Sequence, residues 1–599
     1  MDSRSSTVRP SLAEMATLSL EDTSFSAWPS RFWIVASRFL RANKTFSSTG
    51  IFWFVLQNRF HTAGKKYRND NFMSSHGLGN NVVASNVASF LSHQGDVLRF
   101  AAVCKSWRNT LKSSPMHRFK NLVFMKNEKQ SSFLSLMFHS CGDVIELFSD
   151  FILRNCTISP LQFRYLFKHA RKIKFYGVTI TPWLHIPQHS NLEKLHIDGC
   201  GFSSKGLEII SKRLTNLKSL SIENDEIDEK GIELIVNGSF NKLERLLLYQ
   251  NNINQDGLNS ILSSNHMTNI KKLLIGKQLA KSFPKIDTTK FPILTHLGIQ
   301  DIEMDQIGFS NILKSGLKLK KLELRVAMSE MCSLIEIHLI PTLENVIIQF
   351  DCRNLWLDLQ YLSKMNLKKL ELLSPPMTTN SLTSLCYGDN QLKEIILCRT
   401  AIVISDLAYY CSTSTSYCLT SLNMTQCNLT GYHLKEIAKL TNLKYLNLDS
   451  NKTLQTNDLL HLGSLLKLEK LEMNYIETGN GTTEALSKNS NPRLHTLSLY
   501  TNGIQDCDMQ FFNGNFPILT DLGLSGNKLT DEGLKTLASS NIRNSLKSLS
   551  ISGMTFTPNT IIFALENLKE LKFLQVTLPD LTRPKKKKIK SFNKFINHW

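Results

Sequence analysis

The chain has 599 residues, too long for one ordinary globular core, so several domains or a repeat array are expected. Its net charge of +20 lies mostly at the ends: residues 1–80 carry +5, residues 81–118 carry +4 and residues 583–599 carry +7, which leaves +4 for 119–582. This distribution argues against a broad phosphate-binding face, and no specific nucleic-acid partner is predicted.

The residue types needed for common cofactor and metal chemistry do not occur at the required spacings. The 12 cysteines include no C-x-x-C pair, and the sequence has no G-x-x-x-x-G-K-[ST] loop and no H-E-x-x-H motif. No apolar run approaches the roughly 20 residues that cross a bilayer. We therefore expect no cofactor, no metal, no membrane association and no enzymatic activity, in a cytoplasmic or nuclear protein with reduced cysteines.

The first 118 residues differ in character from the rest of the chain. Residues 1–72 alternate Ser-rich polar stretches with aromatic bursts such as RFWIVASRFL, and are interpreted as a disordered or poorly ordered leader. The alternative is that translation begins at Met73, where the character of the sequence changes abruptly. Residues 78–118 predict a small all-α module, in which Asp96 can cap the second helix. On that second helix, one stripe is formed by Phe100, Val103, Trp107 and Leu111. Taken alone, this module is a cap for the end of a solenoid.

The remaining sequence repeats itself. The pattern L-x-x-L-x-L, with Ile, Val or Met at some positions, begins sixteen times between Leu192 and Leu571, at intervals of 24 to 27 residues. Weaker units begin at Phe119, Phe148 and Ala170. The pattern is typical of leucine-rich repeats, whose period is about 20–29 residues. We therefore predict irregular repeats or a cap over 119–191, and a repeat array over 192–582.

Each repeat predicts one strand and one helix. The alternating L-x-L is a strand with one buried face, and segments such as SSKGLEIISKRL, from Ser203, have helical periodicity after a capping residue. Stacked, these units form an α/β horseshoe solenoid, similar to the ribonuclease-inhibitor-like class. Shortly after the strand, an inward-turning residue that satisfies backbone groups is predicted at Cys156, Cys200, Asn251, Cys427, Asn451, Asn502 and Asn527.

The exposed strand positions line the concave face, which is predicted to bind an unknown protein partner. The face is somewhat acidic with aromatic anchors, and its candidate residues are Tyr249, Glu323, Arg325, Glu371, Asp449, Glu472 and Tyr500. The alternative for any one of them is an ordinary solvated strand position. A basic edge is interpreted as a solvated rim and consists of Lys194, Arg245, Lys272, Lys321, Lys369 and Lys470.

The last segment, residues 583–599, is interpreted as a basic tail. It contains RPKKKKIK, and four consecutive lysines after a proline resemble a single-cluster nuclear localisation signal. The candidate residues are Lys585, Lys586, Lys587 and Lys588. The alternative is a solvated tail without a targeting role.

The module at 78–118 resembles the F-box. S-F-L, a four-residue turn, D-V-L and then A-A-V-C-K-S-W-R follow the F-box pattern across Val82–Arg118, although Gly79 and Asn80 stand where most F-boxes have Leu-Pro. The resemblance implies a three-helix module that docks on Skp1, with a core and Skp1-facing surface formed by Val87, Phe90, Leu91, Leu98, Val103, Cys104 and Trp107.

An F-box ahead of leucine-rich repeats is the arrangement of substrate adaptors of cullin-based, SCF-type ubiquitin ligases, in which the repeats hold the substrate. Two alternatives remain open from the sequence. One is a non-catalytic repeat scaffold or inhibitor whose front helices are only a cap. The other is a GTPase activator of the Ran type, which is also a leucine-rich-repeat solenoid, although no catalytic Arg or Asn set can be transferred to this chain.

Overall fold

The chain divides into two compact units, Met1–Leu192 and Glu193–Trp599. The computed structural model describes residues 121–125, 149–180, 186–187, 190–251, 253–276, 283–328, 334–350, 359–363, 365–374, 381–387, 391–488, 491–577, 584, 589, 592 and 595–597. Three predicted features therefore lie outside the described residues: the leader, the F-box-like module with its Skp1-facing residues, and Lys585–Lys588.

The first unit contains short parallel strands at each of the three weaker repeats. Its strands are β1 (Asn121–Met125), β2 (Asp150–Arg154), β3 (Thr157–Ile158), β4 (Lys172–Tyr176) and β5 (Thr179–Ile180). Strand β2 pairs with both β1 and β4, β3 pairs with β5, and the helix α1 spans Pro160–His169. Phe163 and Phe167, on the buried side of α1, contact Phe175 of β4, with ring centroids 6.2 and 6.3 Å apart.

The second unit is built on one parallel sheet in which every strand pairs with the next along the chain. Its described strands are β6 (Lys194–Asp198), β7 (Ser219–Glu223), β8 (Arg245–Tyr249), β9 (Lys272–Gly276), β10 (His296–Met304), β11 (Lys321–Met328), β12 (Asn345–Phe350), β13 (Lys369–Leu373), β14 (Glu394–Cys398), β15 (Ser421–Asn423), β16 (Tyr445–Asn447), β17 (Lys470–Glu472), β18 (Thr496–Ser498), β19 (Asp521–Gly523), β20 (Ser548–Ile551), β21 (Phe573–Val576) and β22 (Phe595–Asn597).

Helices connect the strands. The α-helices are α2 (Ser204–Arg213), α3 (Glu229–Leu234), α4 (Gln255–Ser263), α5 (Gln306–Leu313), α6 (Ser381–Ser384), α7 (Ile404–Ser412), α8 (Gly431–Ile437), α9 (Thr482–Ser487), α10 (Asp531–Ser539) and α11 (Pro558–Asn567). A π-helical turn, Ile235–Ser239, continues α3. The 3₁₀ helices are Leu334–Leu339, Leu359–Leu362, Leu385–Tyr387, Ser414–Cys418, Thr456–Ser464, Asp506–Phe512 and Asn541–Asn544. None of the described helices is long and apolar enough to span a membrane.

The core lies between the sheet and the helices. In β6, Leu195 and Ile197 are buried while the residues between and beside them are not, and the same alternation recurs in β8 and β13. Because the strands pair in register, Leu195 stands beside Leu220 of β7, and the buried residues form continuous columns. This is a leucine-rich-repeat solenoid, and the predicted fold class is confirmed for the repeat region.

The helical half of the repeat is less uniform than the sequence predicts. The three 27-residue repeats, which begin at Leu243, Leu392 and Leu519, each contain a nine-residue α-helix. Several repeats of 24 or 25 residues have a 3₁₀ helix instead, such as Thr456–Ser464. Repeat length alone does not decide the helix type, since the 25-residue repeats that begin at Leu192 and Leu546 contain ten-residue α-helices.

Buried asparagines link consecutive repeats, as predicted. Asn451 is fully buried, and its amide donates to the carbonyls of Met424 and Leu448 at 2.8 and 2.7 Å. Its carbonyl oxygen accepts from the backbone N–H groups of Cys427 and Leu429 at 2.9 and 3.1 Å. Because these four backbone groups lie at the turns between strand and helix, one side chain satisfies groups that regular secondary structure leaves unpaired.

Asp225 occupies the corresponding position one repeat before Asn251. Its Oδ1 accepts from the backbone N–H groups of Cys200 and Phe202 at 3.0 and 2.8 Å, but its Oδ2 is buried without a hydrogen-bond partner among the described residues. Burial, with a contribution from Asp198, raises the pKa of Asp225 to about 6. At this repeat position, a carboxylate that can only accept hydrogen bonds therefore stands where the amide of Asn251 donates to backbone carbonyls.

The C-terminal segment contains a further strand. Residues 583–599 were expected to form a tail beyond the repeats, but Phe595–Asn597 forms β22, which pairs in parallel with β21. Ile589 is also buried. This strand, formed by apolar residues among the basic ones, was not predicted from the sequence, and the basic-tail assignment of 583–599 stays a prediction.

Replacement of Asn451 by alanine should destabilise the repeat unit by about 3 kcal/mol, since it leaves four backbone groups without partners in a buried site. Urea unfolding followed by circular dichroism measures the effect, and the exposed neighbour Lys452→Ala serves as control. Equal midpoints for the two variants would contradict the role given to Asn451.

Replacement of Asp225 by asparagine should stabilise the protein at pH 7 by about 1–2 kcal/mol. The pKa of Asp225 is higher in the folded state than in the unfolded state, so protonation of this carboxyl group stabilises the wild-type fold. That contribution is fully present below about pH 4 and is lost as the pH rises through about 6. Urea midpoints at pH 4 and pH 7 should therefore show a larger gain for the variant at pH 7. A variant less stable than wild type at pH 7 would refute this.

Candidate partner-binding face

The outward side of the sheet over β6–β21, called here the strand face, presents three side chains per strand: one before, one between and one after the two buried apolar residues. All seven residues predicted for the partner-binding face lie on it and are half-buried: Tyr249, Glu323, Arg325, Glu371, Asp449, Glu472 and Tyr500. Their partial burial arises because neighbouring strands hold other long side chains beside them.

Three of these residues belong to one charged network across β11–β14. Glu323 lies 3.2 Å from Lys321 and 3.5 Å from Arg325. Arg325 reaches across β12 to Glu371, with Nη2 3.9 Å from Oε1. The remaining links join Lys369 to Glu371 at 3.3 Å and to Glu394 at 2.8 Å; the charged network consists of Lys321, Glu323, Arg325, Lys369, Glu371 and Glu394.

The charged network is electrically balanced, since it holds three cations and three carboxylates. Although burial opposes the charged form of Lys369, Glu394 and Glu371 raise the pKa of that amine. These side chains are fixed mainly by one another, so this part of the face offers a partner an ordered polar surface with little excess charge.

A second cluster surrounds Glu472 on β16 and β17. Tyr445 donates to Glu472 Oε2 at 2.6 Å, Asn447 donates to the same oxygen at 2.8 Å, and Lys470 lies 2.7 Å from Oε1. Burial opposes ionisation of Glu472, but Lys470 and Tyr445 lower its pKa. The carboxylate thus stays charged and holds the tyrosine against the sheet.

Asp449 extends this cluster. Its Oδ2 accepts from Asn447 at 3.2 Å and its Oδ1 accepts from the backbone N–H of Asn474 at 2.6 Å, while burial raises its pKa. Asn474 in turn accepts from Ser498 and from the backbone N–H of Tyr500, both at 2.8 Å. The cluster is therefore continuous over β16–β18.

The two predicted aromatic anchors rest on glycines of the following strand. A Cβ added to Gly276 would lie 2.6 Å from Cδ1 of Tyr249 and 2.9 Å from the backbone oxygen of Gln300. A Cβ on Gly523 would likewise lie 2.7 Å from a ring atom of Tyr500. Each ring occupies the space that a side chain would fill, so these tyrosines lie across the sheet. Burial raises the pKa of Tyr249, which keeps its hydroxyl neutral.

Within the part of the chain that the structure describes, one group of residues has the chemistry of a metal site. Candidate ligand atoms of His196, Asp198 and Glu223 all lie within 4.8 Å of one another. His196 Nδ1 is 2.9 Å from Ser221 Oγ, and that hydroxyl donates to Glu223 at 2.7 Å. With the hydrogen bond that Asn224 donates to Asp198 Oδ1 at 2.8 Å, these contacts account for the positions of the side chains without an ion.

The sequence did not indicate the His196–Asp198–Glu223 group, the Tyr445 and Asn447 partners of Glu472, or the role of Gly276. These residues come from different repeats, about 25 positions apart, and only strand pairing brings them together. An alignment of the repeats of this chain with one another would place these residues in the same or nearby columns. That alignment is the one sequence signal that could have found them.

Comparisons with known proteins give likenesses to solved structures alone. No protein-family model matches the sequence, and no curated protein does. Among solved structures, the chain is similar to an internalin from Listeria monocytogenes (15% identity, 72% of this chain and 96% of that chain, TM-score 0.30). It is also similar to the mouse RP105/MD-1 complex (14% identity, 78% of this chain and 76% of that chain, TM-score 0.37).

A third solved structure similar to the chain is the leucine-rich-repeat ectodomain of the Arabidopsis thaliana receptor kinase GASSHO1/SCHENGEN3, in complex with CASPARIAN STRIP INTEGRITY FACTOR 2. The identity is 13%, the likeness covers 77% of this chain and 62% of that chain, and the TM-score is 0.28. At these identities and scores the three likenesses carry no argument about activity or partner. The repeat solenoid, a fold used for protein–protein interaction, rests on the strand and helix arrangement of the chain itself.

Replacement of Gly276 by alanine should destabilise the repeat unit by about 1–3 kcal/mol, because the new methyl group collides with the Tyr249 ring and with a backbone oxygen that cannot move freely. Thermal unfolding measures the change, and Ser421→Ala, also on the strand face, is the control. An unchanged midpoint would show that Tyr249 does not depend on the glycine.

Proposed function

We propose that this chain is a substrate-recognition adaptor of an SCF-type ubiquitin ligase, in which the module at 78–118 docks on Skp1 and the strand face holds a substrate protein. The observation that carries the proposal is the combination of the F-box pattern at Val82–Arg118 with a following repeat sheet that exposes one long face. Half-buried charged and aromatic side chains on that face support a protein rather than a small-molecule ligand.

The adaptor's contribution is positional. The ligase carries activated ubiquitin, and the strand face holds the substrate nearby, so the effective concentration of substrate lysines near the reactive thioester rises. The chain itself performs no chemical step and needs no cofactor. Its site of action is the cytoplasm, the nucleus or both, with Lys585–Lys588 as the candidate nuclear signal.

Full-length protein should bind purified Skp1 in a pull-down, and a Leu91→Ala, Trp107→Ala variant should lose at least about tenfold in affinity. Both side chains belong to the apolar surface that the F-box resemblance assigns to Skp1 contact, and truncation of buried anchors removes most binding energy. A matched Lys105→Ala, Asn109→Ala variant changes polar positions off the apolar stripe and should bind like wild type.

Circular dichroism of each variant checks that the repeat region stays folded. Absence of Skp1 binding by the wild type, or equal loss in both variants, would contradict the proposed function. The chain would then be a repeat scaffold whose front module is a cap.

A further inference from the structure

Four basic side chains stand side by side at the start of consecutive strands. Register pairs Arg245 of β8 with Lys272 of β9, Lys272 with His296 of β10, and His296 with Lys321 of β11. Since neighbouring strands are about 4.8 Å apart, this cationic row (Arg245, Lys272, His296, Lys321) spans about 14 Å. The sequence interpretation of a solvated rim did not distinguish this run from the other basic residues.

At Arg245 and Lys272 the cationic row lacks the counterions found at Lys321, Lys369 and Lys470 of the basic edge. Lys321, Lys369 and Lys470 each lie within 3.2 Å of a carboxylate. By contrast, no carboxylate of the described residues forms an ion pair with Arg245 or Lys272. The nine outward positions of β8–β10 hold no acidic residue at all. Positive charge therefore exceeds negative charge at these nine positions.

This arrangement is unfavourable for the chain alone. Like charges directly opposite on paired strands destabilise a sheet. Burial, Lys321 and Arg245 together lower the pKa of Lys272 although Glu323 opposes them, and burial with the neighbouring cations lowers the pKa of His296. The charged forms of both groups would be favoured by an anionic partner that lies along the row.

Beside the cationic row lies a shallow apolar strip. The central outward positions of the same three strands are Leu247, Leu274 and Gly298, and Leu274 is almost fully buried. A Cβ on Gly298 would lie 2.2 Å from a methyl carbon of Leu274, so the leucine fills the space above the glycine. The surface thus combines a row of positive charge with a shallow apolar strip formed by Leu247 and Leu274, and Tyr249 lies at the far side of that strip.

We propose that the surface of β8–β10 binds an acidic segment of a partner protein, whose Asp or Glu side chains pair with Arg245 and Lys272 while apolar side chains lie on Leu247 and Leu274. The inference deepens the proposed function, since it states the chemistry of the substrate segment. Two cations without counterions among the described residues, about 4.8 Å apart and beside an apolar strip, suit the mixed acidic and apolar side chains of a peptide better than one phosphate, which needs converging donors.

Nucleic acid fits this surface less well than an acidic peptide. The middle of the chain, 119–582, carries a net charge of only +4, and β11, at one end of the cationic row, holds Glu323. A long phosphate backbone that continued past Lys272 would meet this carboxylate, whereas a short acidic segment on β8 and β9 would not.

The test is selection of a random dodecapeptide display library on full-length protein, followed by fluorescence anisotropy with the best synthetic peptide. Selected peptides should be enriched in Asp and Glu. An Arg245→Glu, Lys272→Glu variant should bind the peptide at least about tenfold more weakly, and a version of the peptide with glutamine in place of glutamate should lose binding to a similar degree. A 20-residue single-stranded oligonucleotide is measured in parallel.

The matched control is Lys205→Glu, Lys230→Glu, which makes the same change in net charge at exposed positions of α2 and α3. It should bind the peptide like wild type. The inference is overturned if the selected peptides are not acidic, if both double variants bind alike, or if the oligonucleotide binds more tightly than the peptide. The Skp1 pull-down is a separate measurement. If the acidic-peptide test fails, the proposed docking on Skp1 is unaffected, and if the pull-down fails, the peptide site on β8–β10 is unaffected.

Discussion

The residue-by-residue register of parallel strands is the constraint on which the rest of this structure depends. Each strand pairs with the next at the same repeat position, so a residue type that recurs in the sequence becomes a column across the sheet. Inward columns of leucine form the core, and buried asparagines such as Asn451 satisfy the turns between repeats. A shift of the strand register would therefore expose the leucine core and the buried asparagines together.

The same register decides the electrostatics of the strand face. Where carboxylates and amines alternate between strands, as around Glu371, they neutralise one another in a fixed network. Where basic residues recur without acids, as at Arg245 and Lys272, the charge remains for a partner. The face is therefore divided into balanced and unbalanced regions, and specificity for a partner is expected from the unbalanced one.

Much of the fold could be predicted from the sequence because leucine periodicity determines strand position, burial and the inward asparagines. The face residues Glu323, Arg325 and Glu371 were placed correctly on one surface for the same reason, although their role in partner binding stays a prediction. Their contacts could not be predicted, since Arg325 reaches Glu371 across an intervening strand. The strand at Phe595–Asn597 was missed because its short apolar pattern lies among lysines.

Hydrogen–deuterium exchange of the full-length protein, with and without Skp1, tests the central claim that docking and substrate recognition occupy separate parts of the chain. The account predicts new protection confined to peptides from residues 78–118, with exchange on β8–β10 unchanged and still responsive to an acidic peptide. Protection by Skp1 on the strand face, or none in residues 78–118, would contradict it.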